Sequence, residues 1–293
     1  TTLFSKTANG SVLVNALTMS ADQKGSVAAG IVKVSAISNL TLASSEDATE
    51  MGQLFSKTAD LAVAVNALAM SADQKDAMSS SFGKISVITA LTFASSEDAS
   101  QITTFASKTT GAVAVATGMS SEQLSALGAV ATKIAADGIT GTLAIDVAVT
   151  NLDGLLGKTA VAATVNVDAA SFGTAGKSTL SSNISKVDAI SSLSLVSTDV
   201  TGVIANLLTK ASAAVANGSS MSSAQLSALG FGASSIAADG ITGTLAIDVF
   251  VTDLDALLGK TAVAATVNVD ATSFDTAGKS TLSSNISKVD AIS

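Results

Sequence analysis

The residues able to move a proton, hold a metal or attack a carbonyl are few in this chain of 293 residues. It has no His, Cys, Tyr, Trp or Pro, and Lys carries all of its positive charge because Arg is absent too. Without His or Cys the commonest general bases, thiol nucleophiles and soft metal ligands are missing. Two candidates remain. Ser stands next to Lys at Ser56-Lys57 and Ser107-Lys108, and a neighbouring amine is one way to activate a hydroxyl. That motif recurs along the chain, however, and an active site need not be built many times over. Asp137-Gly138 and Asp239-Gly240, with Asp146 and Asp248 downstream, invite a calcium reading. Calcium needs several carboxylates within a few residues. Each of these places offers one, so a Gly-containing helix-to-strand turn accounts for them better. The inventory predicts a protein that is not an enzyme and holds no metal or cofactor.

The charges make more sense as structure. Lys6, Lys57, Lys108, Lys158, Lys210 and Lys260 follow one another at intervals of 51, 51, 50, 52 and 50 residues. A second series, Lys33, Lys84, Lys133, Lys186 and Lys288, falls between them, with Ser235 in its fifth place. The chain therefore repeats about every 51 residues, in two half-units of roughly 25. These eleven lysines each close a predicted helix. The acids Asp22, Asp73, Glu122, Glu46, Asp47, Glu97 and Asp98 gather at helix starts. Placed so against the helix dipole, each contributes about 0.3–1 kcal/mol.

Ser20, Ser71, Ser120 and Ser222 each open an S-x-x-Q motif, the pattern of a capping box. After Ser120 the residues Leu124, Leu127, Ala131 and Ile134 keep one helical face; Leu152, Leu155 and Leu156 do so in the other half-unit. Short alternating stretches follow the helices: Leu40–Leu42, Leu91–Phe93, Leu143–Ile145, Leu193–Leu195 and Leu245–Ile247. Others lie between them at Val12–Val14, Val63–Val65, Val113–Val115 and Val165–Val167. Strands of three to five residues are expected there, none stable alone. Asn15, Asn66, Asn166 and Asn268 end strands at equivalent places, where a hydrogen-bonded ladder under the turns is the structural reading.

Helices alternating with short strands predict an α/β repeat solenoid of about six 51-residue units, each of two helix–strand half-units. A parallel sheet forms one side and helices the other. The units fall near 1–53, 54–104, 105–154, 155–206, 207–256 and 257–293, as one continuous array over 1–293. The alternative places the two strands of each unit in two different sheets. Along the open sheet face the outward residues would be Leu13, Thr41, Ala64, Thr92, Ala114, Ala144, Ser194 and Ala246. That column is small and uncharged, which suits lateral packing against a neighbouring rod. The sharper reading is a surface for ice or polysaccharide, but regular Thr-x-Thr pairs are missing.

A net charge of −8 argues against nucleic acid, which needs a basic stripe. Hydrophobic residues make up 47% of the chain, yet no run reaches the ~18 apolar residues of a membrane span. Thr1–Lys6 already matches Thr103–Lys108, so a mature or excised chain is expected. Ser293 aligns with Ser191, and no polar repeat closes either end. The expectation is a window on a longer array, or a subunit that stacks end to end.

The capping box, the Lys-Ile/Val-x-x-Ile stretch and the Leu-x-Leu strand together resemble the Ala/Ser/Thr-rich, leucine-rich-repeat-like solenoid repeats of very large bacterial surface proteins and adhesins. The L-x-x-L-x-L-x-x-N consensus of the leucine-rich-repeat family proper is absent, so no ligand site carries over. The resemblance implies an extracellular or cell-surface scaffold. The expected function is a non-catalytic rod or filament that self-associates axially and also laterally. The alternative is a binding module, an adhesin or an ice- or glycan-binding array, that uses the flat sheet face.

Overall fold

The computed structural model describes residues 4–293. Its helices are α1 (Ala21–Ala29), α2 (Ala48–Ser56), α3 (Ala72–Ser80), α4 (Ala99–Ala106), α5 (Ser121–Ala129), α6 (Leu152–Lys158), α7 (Thr174–Ser182), α8 (Thr201–Leu208), α9 (Ser223–Phe231), α10 (Leu254–Lys260) and α11 (Thr276–Ser284). The strands are β1 (Val12–Asn15), β2 (Val34–Ser38), β3 (Leu40–Leu42), β4 (Val63–Ala67), β5 (Ile85–Phe93), β6 (Ala112–Val115), β7 (Ile134–Thr140), β8 (Thr142–Ile145), β9 (Thr164–Ala169), β10 (Ala189–Leu195), β11 (Ala214–Asn217), β12 (Ile236–Thr242), β13 (Thr244–Ile247), β14 (Thr266–Val269) and β15 (Ala291–Ile292). Among the described residues no helix is long and apolar enough to cross a membrane.

The helices begin where their caps are. All four S-x-x-Q motifs form complete capping boxes: each Ser accepts from the Gln N–H and each Gln returns a bond to the Ser N–H. Asp47 with Glu50 and Asp98 with Gln101 do the same for α2 and α4. At nine residues or fewer these helices would be marginal in isolation, so packing against the strands must hold them.

Contacts divide the chain into two compact units. One comprises the chain up to Thr142 with Gly157–Ala163, and the other Leu143–Leu156 with Thr164–Ser293. In the first, β1 pairs with β2, and β3 to β7 form a five-stranded sheet in chain order. In the second, β8 to β12 form a five-stranded sheet and β13 to β15 a three-stranded one, again in chain order. The ladders are parallel, and one helix joins each strand to its sheet neighbour, the kind of crossover a parallel pair requires. Within the first unit Leu40 and Leu42 pair with Val63 and Val65, all four buried. Met51, Leu54 and Phe55 of α2 and Ile102 and Phe105 of α4 are buried in the same unit, none more than 1% exposed. In the second unit Val165, Val167, Leu193 and Leu195 face inward with Leu207 of α8.

Only one residue separates β2 from β3 and β12 from β13: Asn39 at φ 53 and Gly243 at φ 83. A Cβ on Gly243 would fall 2.3 Å from Asn217 Oδ1 and 2.4 Å from Ser219 Oγ. Glycine is required there by space as well as by backbone.

Three expectations are corrected. Strands reach nine residues in β5 and seven in β7, β10 and β12, because the chain runs straight from the 3-10 turn after the helix into the sheet. The strand β11 is not among the expected ones; it buries only Ala214 and Ala216, and the mark of it is its sister copy 102 residues earlier, Ala112–Val115. Asp137 and Asp239 lie inside β7 and β12 in the left-handed region, at φ 51 and 52. They occupy a bulge rather than a helix-to-strand turn, since Ala112 pairs with Ile134 but Ala114 with Ile139.

Candidate functional site

The charged groups with the most constrained chemistry are inside the protein. Four lysines stand outside the two series: Lys24, Lys75, Lys177 and Lys279, each the fourth residue after its helix cap. Lys24 meets Glu46 at 2.8 Å, Lys75 meets Glu97 at 3.0 Å and Lys177 meets Asp199 at 2.5 Å, with every side chain in these pairs 7% exposed or less. Each ammonium also donates to a strand carbonyl, of Thr41, Thr92 or Ser194. Each acid accepts from the backbone N–H three residues before it, and Ser45 and Ser96 donate to the two glutamates. Burial pushes the Glu46 carboxyl up. The hydrogen bonds from Lys24, Ala43 and Ser45, with the Lys24 charge, outweigh that and hold it below its ordinary value. Asp199 is one methylene shorter, and its Oδ1 is buried without a partner.

The acids therefore do two different things. Asp47 and Asp98 cap helices, as expected, but Glu46 and Glu97, one residue earlier, turn inward to a lysine of the preceding helix. Where that lysine is absent so is the acid. Leu124 and Leu226 stand in the lysine's place and Val149 and Val251 in the acid's, and all four are buried. A buried ion pair exchanged for an apolar pair of similar volume is the substitution physical chemistry tolerates, since half of either is costly.

A second exchange accompanies the caps. In α3, α5 and α9 the capping-box Gln also donates its Nε2 to two carbonyls before the preceding helix: Ser44 and Glu46, Ser95 and Glu97, Ser197 and Asp199. In α7 and α11 that Gln is Gly176 or Gly278, and the Met before the cap is Phe172 or Phe274. A Cβ on either glycine would lie 2.4 Å from the ring. The phenyl takes the room the Gln side chain uses elsewhere.

Of the residues expected on the sheet face, Thr41, Ala64, Thr92 and Ser194 are half-buried and Ala144 and Ala246 exposed. Leu13 is 79% exposed. Ala114 is a correction: it is buried at 1%, while Val113 and Val115 take the outer positions. Its neighbours in the ladder, Phe93 and Ile139, fill the interior at that level, so the small residue faces in. Several strand hydroxyls are engaged: Ser38, Ser86, Thr89, Thr140 and Thr242 donate to carbonyls of the preceding strand, and Thr41 of the column donates to the Leu17 carbonyl.

The other candidates find local partners. Ser56 and Ser107 donate to Gln53 and Thr104 carbonyls, and Lys108 reaches the Phe82 and Ile85 carbonyls while lying 4.2 Å over the Phe82 ring. Lys260 and Lys288 likewise donate to Ile236 and Thr261. These lysines reach carbonyls of an earlier segment rather than only closing their own helix. Asp146 and Asp248 accept from the N–H two residues on, and Asn15 and Asn66 do the same. In place of the expected ladder Asn15 and Asn66 make separate Asx turns, whereas Asn166 and Asn268 lie inside β9 and β14, where Asp168 and Asp270 make the turn instead. Among the described residues no three acidic, His or Cys side chains are grouped to hold a metal. No protein-family model matches the chain, and no curated protein matches it.

Proposed function

We propose that the chain is a non-catalytic structural repeat protein, an α/β solenoid of six 51-residue units that builds an extracellular rod or filament by end-to-end stacking. Its kinship would then be with the Ala/Ser/Thr-rich repeats of large microbial surface proteins. The observation that carries the reading is one clasp repeated between successive segments: Gln74, Gln123 and Gln225 each donate to carbonyls before the preceding helix, and Lys24, Lys75 and Lys177 each reach an acid 22 residues on. Apolar side chains of Phe4, Val12, Met19 and Val27 line a groove beside β1, and unpaired strand edges add strands readily.

The alternative, ice or glycan binding by the sheet face, draws less support because so many strand hydroxyls are committed to carbonyls. Electron microscopy of the purified chain tests the proposal. Unbranched fibres are expected from it, and monomers from a version with a charged capping helix fused at each end. Fibres that persist after capping would refute end-to-end stacking.

A further inference from the structure

Two copies of one stretch within this chain differ in a way that builds a surface. Residues 120–158 and 222–260 are offset by 102 and differ at eight positions. Ala129 and Ala148 in the first copy are matched by Phe231 and Phe250 in the second. The same comparison removes a charge at each end of the helix, Glu122 becoming Ala224 and Lys133 becoming Ser235, and turns Asn151 into Asp253. Phe231 is 80% exposed and Phe250 76%, whereas the other described phenylalanines are buried or half-buried.

The two lie on neighbouring segments of the second unit. Ser227 Oγ of α9 donates to the Ser223 carbonyl at 2.8 Å and accepts from the Thr252 N–H at 2.9 Å, with the Phe250 carbonyl 3.3 Å away. That latches the loop before α10 onto α9, and Phe231 follows Ser227 by one helical turn on the same face. Val249 beside them is 41% exposed. The carboxylates of Asp253 and Asp255 are exposed next to the loop.

Phenyls exposed to this extent present on the order of 300 Å² of apolar surface, the size of a functional patch but below the ~800 Å² per partner of a stable dimer. Charge decides the occupant. The second unit holds six lysines and twelve acids, 6 − 12 = −6 of the chain's −8, so a second copy would bring a net negative unit, −2 or −6, against −6. A cation suits both the carboxylates and the faces of the rings.

We propose that Phe231 and Phe250 form a docking surface for a basic amphipathic polypeptide segment, apolar on one side and Lys/Arg-rich on the other. This goes beyond stacking and does not depend on it. The test is fluorescence anisotropy with a labelled amphipathic Leu/Lys helical peptide, and with its Leu/Glu counterpart. The variant F231A/F250A installs the alanines of the sister copy, so the fold is preserved, which circular dichroism verifies. The Leu/Lys peptide should bind the natural chain and bind the variant about tenfold more weakly. Binding should weaken with salt and with D253N, and the Leu/Glu peptide should not bind. Equal affinity for the variant would show attraction by net charge alone and overturn the proposal. Binding of the Leu/Glu peptide would overturn it too, as would a dimer in sedimentation that the variant abolishes, which would make a second copy the occupant.

Discussion

A lysine such as Lys75, buried against Glu97, is stable only because both charges and their remaining hydrogen-bonding capacity are met on the spot. Glu97→Val alone strands the ammonium and should cost about 3–5 kcal/mol, read from the urea midpoint. Adding Lys75→Leu recreates the pair found at Leu226 and Val251, and stability should return to near its starting value. A double variant as weak as the single one would contradict this. Glu46 makes a second case. Its carboxyl is held below the ordinary value, so the unfolded chain takes up that proton more readily than the folded one. Its contribution is fully present above the unfolded value of ~4.3 and is lost as pH falls from there through the folded value. The thermal midpoint should drop in acid, and less so in Lys24→Leu/Glu46→Val; identical acid slopes would count against it. These pairs were only partly legible in the sequence. Glu46 and Glu97 read as helix-start acids because their true neighbours, Asp47 and Asp98, are caps. The signal was the place of the lysines, where sister copies carry Leu124 and Leu226.

At the scale of elements, capping chemistry was readable because it is local: Ser and Gln three apart need no knowledge of the rest of the fold. Strand phase was not. In Ala112-Val-Ala-Val115 either alternation is possible, and the choice falls to Phe93 and Ile139 on the flanking strands. Helix α7 gives a direct test of element packing. Gly176→Ala puts a Cβ 2.4 Å from the Phe172 ring and should cost about 1–3 kcal/mol, while Phe172→Met in the same chain should relieve it. No relief would show that the ring is not what excludes the side chain. Leu127→Asp and Leu155→Asp, both at sites 0% exposed, should each lower the melting midpoint by the equivalent of several kcal/mol. Thr41→Asp on the outer face should do far less. Equal effects from all three would mean inside and outside are reversed.

For the whole molecule, each sheet follows chain order, and a buried Lys or a capping-box Gln binds the neighbouring segment from each of α1, α3, α5, α7 and α9. The proposed stacking extends that rule from one chain to the next. Its most direct test is X-ray diffraction from oriented fibres of the purified chain. Strands stacked along the fibre put a reflection at about 4.8 Å on the fibre axis, with a weaker one at about 9.6 Å from the two strands of each 51-residue unit. Fibres whose strand spacing lies across the axis, or a chain that sediments as a monomer under fibre-forming conditions, would contradict end-to-end stacking.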